Sequence, residues 1–384
     1  MGLQFCANQP NLKRMTPCPG SYLRTAQHEP ARARFPVIDA HNHLWGNWTD
    51  AERIAKVMDD VGVLAYCDLT ANTILTWKAG GYTFGPGDIK GFFERVCKRF
   101  PGRFYGFTMS AFNKPLDQPL FSDCHAFVDT CVATLEDHVR RGARGLKLLK
   151  EFGLCLRDSQ GALLRVDDDR FAPIWQACAR LKAPVLIHQS DPYGFFQPPT
   201  PDNEHYDTLQ KYPSWKFHDR SRFPSKEELL ERRDNLIRNH PATTFILPHV
   251  ANYPEDLALV SQLLDTFPNV FIDFSARTDE LGRQPYTARE FMIRHANRIL
   301  FGTDMPASIE MYRYHFRFLE TFDEYFIPPD YDGTFGRHRW RVCGLGLPND
   351  VLAKIYSENA LRIIPGLKHQ LGREKGPVTS IKTV

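Results

Sequence analysis

Short apolar runs alternate along this chain with longer segments whose apolar positions recur every three to four residues. The runs Pro36 to His41, Val63 to Leu69, Arg103 to Ser110, Arg144 to Leu149, Val185 to Gln189, Thr244 to His249, Val270 to Phe274 and Ile299 to Gly302 read as strands. Between them the spacing predicts helices. Ile54 and Met58 recur within Asp50 to Asp60, and further helices are expected around Ile89 to Arg99, Cys124 to Arg141, Phe171 to Leu181, Pro254 to Thr266 and Ala288 to Ala296. Ser225-Lys-Glu-Glu228 is a capping box that opens a helix to about Asn239, with Pro241 as its stop. Eight strand–helix units predict an α/β fold, namely a closed (β/α)8 TIM barrel, over an open doubly wound sheet. No Gly-x-Gly-x-x-Gly follows the first strand, which also argues against a dinucleotide fold.

Two stretches interrupt the alternation. From Ser190 to Pro224 there is no clear period but many prolines and aromatics, Tyr193, Phe195, Phe196, Tyr206, Trp215 and Phe217 among them. These read equally well as a pocket lid or as a satellite core. A second aromatic stretch, Tyr312 to Trp340, reads as packing against the barrel or a partner chain, and a helix from Asp350 to Ile364 follows. The barrel, with long insertions after its fifth and eighth strands, is therefore expected over 35–365, between an extension at 1–34 and a polar tail at 366–384. Thr70 to Gly87 reads as a Gly/Thr/Trp-rich connection.

The chemistry sits at strand ends. The first strand runs into Asp39-Ala40-His41-Asn42-His43-Leu44-Trp45, and residues two apart on an extended strand face the same way, so His41 and His43 can grip one ion. With 14 histidines in 384 residues, chance alone supplies about half of one His-x-His pair per chain, so the pair needs support from elsewhere. Three later strands provide it by ending on His188, His249 and Asp304. The carboxyl ends of barrel strands are where such enzymes build their sites, so residues far apart in the chain can converge there.

Composition narrows the rest. With 42% hydrophobic and 12% aromatic residues the chain can bury a large core, and a formal net charge of +3 gives no general reason to bind nucleic acid or an anionic membrane. Nine scattered cysteines, without a Cys-x-x-Cys pair, read as reduced and mostly buried thiols. No apolar run approaches the length of a membrane helix, and the first thirty-odd residues hold no signal-peptide core, so a cytoplasmic location is the expectation.

The His-Asn-His on the first strand, a histidine ending the fifth and the sixth, and Gly302-Thr303-Asp304 on the eighth resemble the amidohydrolase superfamily, specifically the amidohydrolase-2 branch with its decarboxylases and lactonases. The resemblance covers roughly Phe35 to Pro365. It implies that His41, His43, His188 and Asp304 bind one divalent metal, usually zinc, and that His249 acts beside it. Three imidazoles and a carboxylate suit zinc on chemical grounds too, although manganese, iron or cobalt could occupy such a site. Two-metal members carry a carboxylated lysine on the fourth strand, where this chain offers Lys147 and Lys150.

The expected activity is hydrolysis of a small-molecule amide, ester or lactone by a metal-bound water, with Asp304 accepting its proton. A non-oxidative decarboxylase or hydratase of a small carboxylic acid is the alternative on the same site. A non-catalytic metal- or metabolite-binding barrel is the alternative of another class. Lys147, Arg277 and Trp45 are the candidate substrate contacts, with an anionic small molecule as the expected partner and a homo-oligomer left open.

Overall fold

Strands buried on both faces need no polar alternation, and most of the barrel strands here are apolar along most of their length, with Asp39, His41 and Asn42 in the first and Lys147 in the fourth as the main departures. The computed structural model describes residues 21–78, 81–329 and 340–367. Ten strands run in chain order: β1 (Val37–Asn42), β2 (Val63–Asp68), β3 (Thr73–Lys78), β4 (Gly81–Pro86), β5 (Phe104–Gly106), β6 (Leu146–Leu148), β7 (Val185–Ile187), β8 (Phe245–Leu247), β9 (Val270–Asp273) and β10 (Ile299–Leu300). β1, β2 and β5 pair in parallel, as do β6 through β10 in sequence order. Hydrogen bonds join the two arcs at both ends. Thr108, just past β5, bridges to Leu146, and Ala40 N donates to Phe301 O at 2.9 Å. The result is a TIM barrel of eight parallel strands.

The expected strands all form, most of them shorter than the apolar runs and the first shifted by one residue to Val37–Asn42. The departure is between Thr70 and Gly87, read as a connection. It contains the antiparallel hairpin β3–β4, with Ile74 paired to Gly85 and Trp77 to Tyr82. The β-branched and aromatic content of Thr73 to Trp77 was the available signal. Gly81 and Gly85 in the second strand masked it.

Inside the barrel, Ile38, Ala65, Phe107, Leu186, Ile246 and Leu300 form a core that Ile364 and Leu367 help to close off. The larger core lies between sheet and helices. A third cluster holds Phe195, Phe196, Leu209, Phe217 and Leu229, with Trp215 packed against it. Much of the insertion after β7 is thus a satellite core, while Tyr193 stays 40% exposed. The extension is strapped down where described: His28 N donates to Asp323 Oδ2 at 2.7 Å and Arg34 N to Glu320 Oε1 at 2.9 Å. The seven described cysteines are free thiols, three of them buried. Among the described residues no helix is long and apolar enough to cross a membrane.

The helix Lys226–Asn239 carries both halves of its capping box, Ser225 Oγ accepting from Glu228 N at 3.1 Å and Glu228 Oε2 accepting from Ser225 N at 2.7 Å. Its first residue has a further task. The buried Lys226 donates to Asp191 O and Asn252 O, both at 2.5 Å, and so ties the loop after β7 to the turn after β8. Ser225→Ala removes one half of the box and is expected to cost about 1 kcal/mol in equilibrium urea unfolding. A change smaller than a few tenths would show that tertiary packing alone holds this helix start.

Candidate metal centre

At the carboxyl end of the barrel one carboxylate organises two imidazoles. Asp273, the last residue of β9 and fully buried, takes His41 Nδ1 on Oδ2 at 2.9 Å. Its Oδ1 accepts from His249 N at 3.2 Å, Ser275 N at 3.0 Å and Ser275 Oγ at 2.5 Å. His249 Nδ1 in turn donates to Ser275 O at 2.8 Å. Since an ionised carboxylate and a carbonyl can only accept, both rings carry their proton on Nδ1 and leave a lone pair on Nε2. Those two lone pairs and the Asp304 carboxylate converge: His41, His249 and Asp304 each offer a ligand atom within 4.8 Å of the others.

His43 stands next to them. Its Nε2 is 3.4 Å from Asp304 Oδ1, its Nδ1 is 3.1 Å from Thr70 Oγ1, and its ring lies edge-on to His41 at 5.5 Å. Trp45 stacks on the other face of His43 at 4.5 Å. His188 reaches the cluster through His249, with ring centres 4.5 Å apart, but its Nε2 faces Ser190 O at 3.0 Å and Asp191 Oδ1 at 3.4 Å. In this arrangement the His188 proton is on Nε2 and its lone pair on Nδ1.

Of the two lysines on and just past the fourth barrel strand, Lys147, in the middle of β6, faces inward. It is buried, and its Nζ lies 3.4 Å from His41 Nε2. Lys150 turns away to pair with Asp191 at 2.6 Å over the Trp215 ring. Arg277 is also buried, donates from Nη1 to Ala276 O, and leaves Nε without a partner.

A family model described as amidohydrolase, of the amidohydrolase-2 type, matches residues 38–366. The chain belongs to that family. A provisionally assigned amidohydrolase from Staphylococcus aureus superposes with a TM-score of 0.51 at 14% identity, over 86% of this chain and 99% of its own. A dihydroxybenzoic acid decarboxylase from Polaromonas, solved with bound manganese, gives 0.48 at 15% identity over 85% and 96%. A 4-oxalomesaconate hydratase from Rhodopseudomonas palustris gives 0.49 at 16% identity over 86% and 95%. At such identities the likeness shows the fold alone. Comparison with curated proteins finds no match.

The family is metal-dependent, and the donor set of this amidohydrolase fits a divalent ion. Burial, followed by the nearby Lys147 charge, holds His43 well below the usual imidazole range. Burial and the other histidines do the same to His249, and burial lowers His188 to about 4 despite Asp191. Neutral imidazoles are the form a metal requires. Burial alone would raise Asp273, but the His41 ring beside it holds the carboxyl below its ordinary value. Burial brings Lys147 down to about 8 against the pull of Asp304, Asp273 and Glu151.

Asp273 and Ser275 were absent from the residues singled out in the sequence, although Asp273 ends its strand as His188, His249 and Asp304 follow theirs. Asp273→Asn replaces the acceptor that fixes His41, so metal affinity is expected to fall about 10- to 100-fold in competition with a chromophoric chelator. Gly302→Ala tests the same ring from the other side. A Cβ there would stand 2.7 Å from His41 Cβ. Weakened metal retention with the fold intact by circular dichroism is expected, and wild-type retention would show that the two strands can move apart freely.

Proposed function

We propose that this amidohydrolase is a hydrolase of an amide, ester or lactone bond in a small anionic molecule. In this reading His41, His43, His188 and Asp304 hold one divalent ion, zinc by preference, and His249 works beside it. What supports the reading is that His41 Nε2 and His43 Nε2 approach the Asp304 carboxylate at 3.8 Å and 3.4 Å, with His249 Nε2 beside them at 3.8 Å and the buried cations Lys147 and Arg277 nearby. A divalent ion held by His41, His43, His188 and Asp304 would supply carbonyl polarisation and a more acidic water.

The remaining chemistry belongs to the side chains. Asp304 is 29% exposed at its side chain, so its carboxylate, facing His43 through Oδ1 and His41 and His249 through Oδ2, can take a proton from water. His249, its Nδ1 proton committed to Ser275 O, can receive a proton only at Nε2 and deliver it to a leaving group there. Lys147 and Arg277 supply positive charge for a substrate carboxylate, and the half-buried Trp45 is a wall of the pocket. Burial of these cations strengthens their hold on an anion by excluding water.

Screening purified, metal-loaded protein against lactones, amides and aromatic carboxylates, with acid release and CO2 evolution followed separately, tests the reaction. Acid release supports hydrolysis. CO2 release, or water addition without bond cleavage, instead selects the decarboxylase or hydratase that the same residues can serve. Elemental analysis should find about one divalent ion per chain, and two would assign Lys147 a part in a second site.

Asp304→Asn should keep part of the metal while turnover falls by about 10² to 10⁴. Removing the His41 and His43 imidazoles should abolish metal and activity together. His249→Asn should lower the rate with metal retained, and an empty site in that variant would make His249 a ligand. Lys147→Met and Arg277→Met should each raise KM for an anionic substrate, and unchanged kinetics in both would discard their role.

A further inference from the structure

The amino end of the barrel carries a pocket of its own. Residues at the starts of β5 and β6 enclose about 700 Å³ together with Phe93, Lys98 and Gly366. Phe104 opens β5, and Arg144 N donates to Gly106 O at 2.8 Å just before β6 begins. The metal centre stands at the carboxyl ends of the same strands, so the pocket lies at the opposite end of the barrel. Its volume is that of a small-molecule site.

The lining has charge of one sign. Lys98, Arg141 and Arg144 contribute to it, and among the described residues no carboxylate does. Arg141 is engaged by Asp137 at 2.5 Å, and Lys98 is exposed. Arg144 is half-buried, with the Tyr105 ring 5.9 Å from its Cζ and its Nε buried without a partner. Among the described residues no hydrogen bond or ion pair engages its Nη1 or Nη2 either, and neither of these is buried, so the outer fork of the guanidinium is open to an incoming group. The neighbouring Cys97 and Tyr105 add no negative charge, since burial pushes the thiol up to about 12 and raises the phenol as well.

The backbone holds this fork in place. Gly366, at φ 82°, packs so closely on the guanidinium that a Cβ there would stand 2.6 Å from both Cζ and Nη1 of Arg144, an approach and a conformation suited to glycine. A side chain fixed in advance loses little freedom when a ligand arrives. We propose that this pocket is a second ligand site, which takes a small organic anion with its carboxylate or phosphate on Arg144 Nη1 and Nη2, Lys98 at the rim, and an apolar body against Phe93 and Tyr105. A planar fork of this kind suits both head groups. The site is independent of the metal centre and of the reaction carried out there.

The test is calorimetry on the full-length, metal-loaded protein with benzoate, phenyl phosphate and inorganic phosphate as probes. At least one of the two aromatic anions should bind with a Kd below about 1 mM, and whichever binds more tightly identifies the head group. Anions can also enter the metal end, so the component of interest is the one that Arg144→Met removes and Lys147→Met leaves. Arg144→Met should weaken it about tenfold or more, the worth of a charged hydrogen-bonded pair, while Lys147→Met should leave it within about twofold. Arg144→Lys keeps the charge without the fork and should fall between. Lys98→Met, at an exposed position, should weaken binding about two- to fivefold. Inorganic phosphate, which lacks the apolar body, should bind at least about fivefold more weakly than phenyl phosphate.

Wild-type protein that binds neither aromatic anion, or Arg144→Met that binds them as the wild type does, overturns the inference. Binding lost in Lys147→Met and kept in Arg144→Met places the anion at the metal centre and overturns it too. Equal affinity for inorganic phosphate and phenyl phosphate refutes the apolar wall. Should Arg144→Met fail to fold, wild-type affinity in both Arg144→Lys and Lys98→Met refutes the site.

Discussion

The metal centre depends on the seam where the last barrel strand meets the first. Asp304 N donates to His41 O at 2.8 Å and Thr303 N to the same oxygen at 3.2 Å, so closure of the barrel places the carboxylate beside the histidine. A polar network locks the seam from outside. Asp39 takes Thr303 N at 3.1 Å, Thr303 Oγ1 at 2.8 Å, Asn42 Nδ2 at 3.0 Å and the Tyr312 hydroxyl at 2.8 Å. Burial raises the Asp39 carboxyl, and these four donors oppose the rise. Such a network is sound only when every member is satisfied, since the low dielectric that strengthens each bond also penalises each gap. Asn42, between the two site histidines, serves this seam with bonds to Thr303 Oγ1 at 2.8 Å and Met305 O at 3.0 Å.

The turns out of several of the barrel strands carry backbone strain. His249, Val250, Ala251 and Asn252 all have φ between 52° and 60°, a left-handed turn that glycine adopts easily and a β-branched valine does not. Asp304 at 50°, Ala276 at 53° and Trp45 at 52° repeat the conformation at three other strand ends. Each such residue costs about 1 to 3 kcal/mol and persists only where its surroundings over-determine it. At His249 the surroundings are explicit: Asp273 holds its backbone and Ser275 holds its ring. The strain sits where ligand atoms must turn inward immediately after a strand, and the barrel core below supplies the stability that tolerates it.

Charge is spent near the centre in a consistent way. Among the described residues three lysines are buried, and of these only Lys150 has a carboxylate partner, Asp191. Lys226 is held by two backbone carbonyls and Lys147 faces an imidazole. Burial lowers both Lys226 and Lys147 to about 8, so their ammonium forms are held less firmly than on the surface. Lys226 secures the loops, while Lys147 alone among these three faces the metal cluster.

The alternation of short apolar runs with helical periods specifies the eight strands, their parallel order and the barrel by itself, because strands buried on both faces leave an unmistakable pattern. The same pattern places His41, His188, His249 and Asp304 at or just past strand ends, and hence at one end of the barrel. Local sequence also specifies the Ser225 capping box, a motif whose partners lie within four residues. Tertiary structure decides what depends on partners distant in the chain. Lys147 faces inward and Lys150 outward because the neighbours Leu146 and Leu148 are drawn into the outer core. Asp273 orients His41 across 232 positions, a tether that no local spacing could reveal. His188 points its Nε2 at the loop carbonyl of Ser190, and the hairpin β3–β4 gains its place by resting Tyr82 on Glu151. Periodicity records which face of an element is buried; which group a buried polar atom meets is settled only when the strands close.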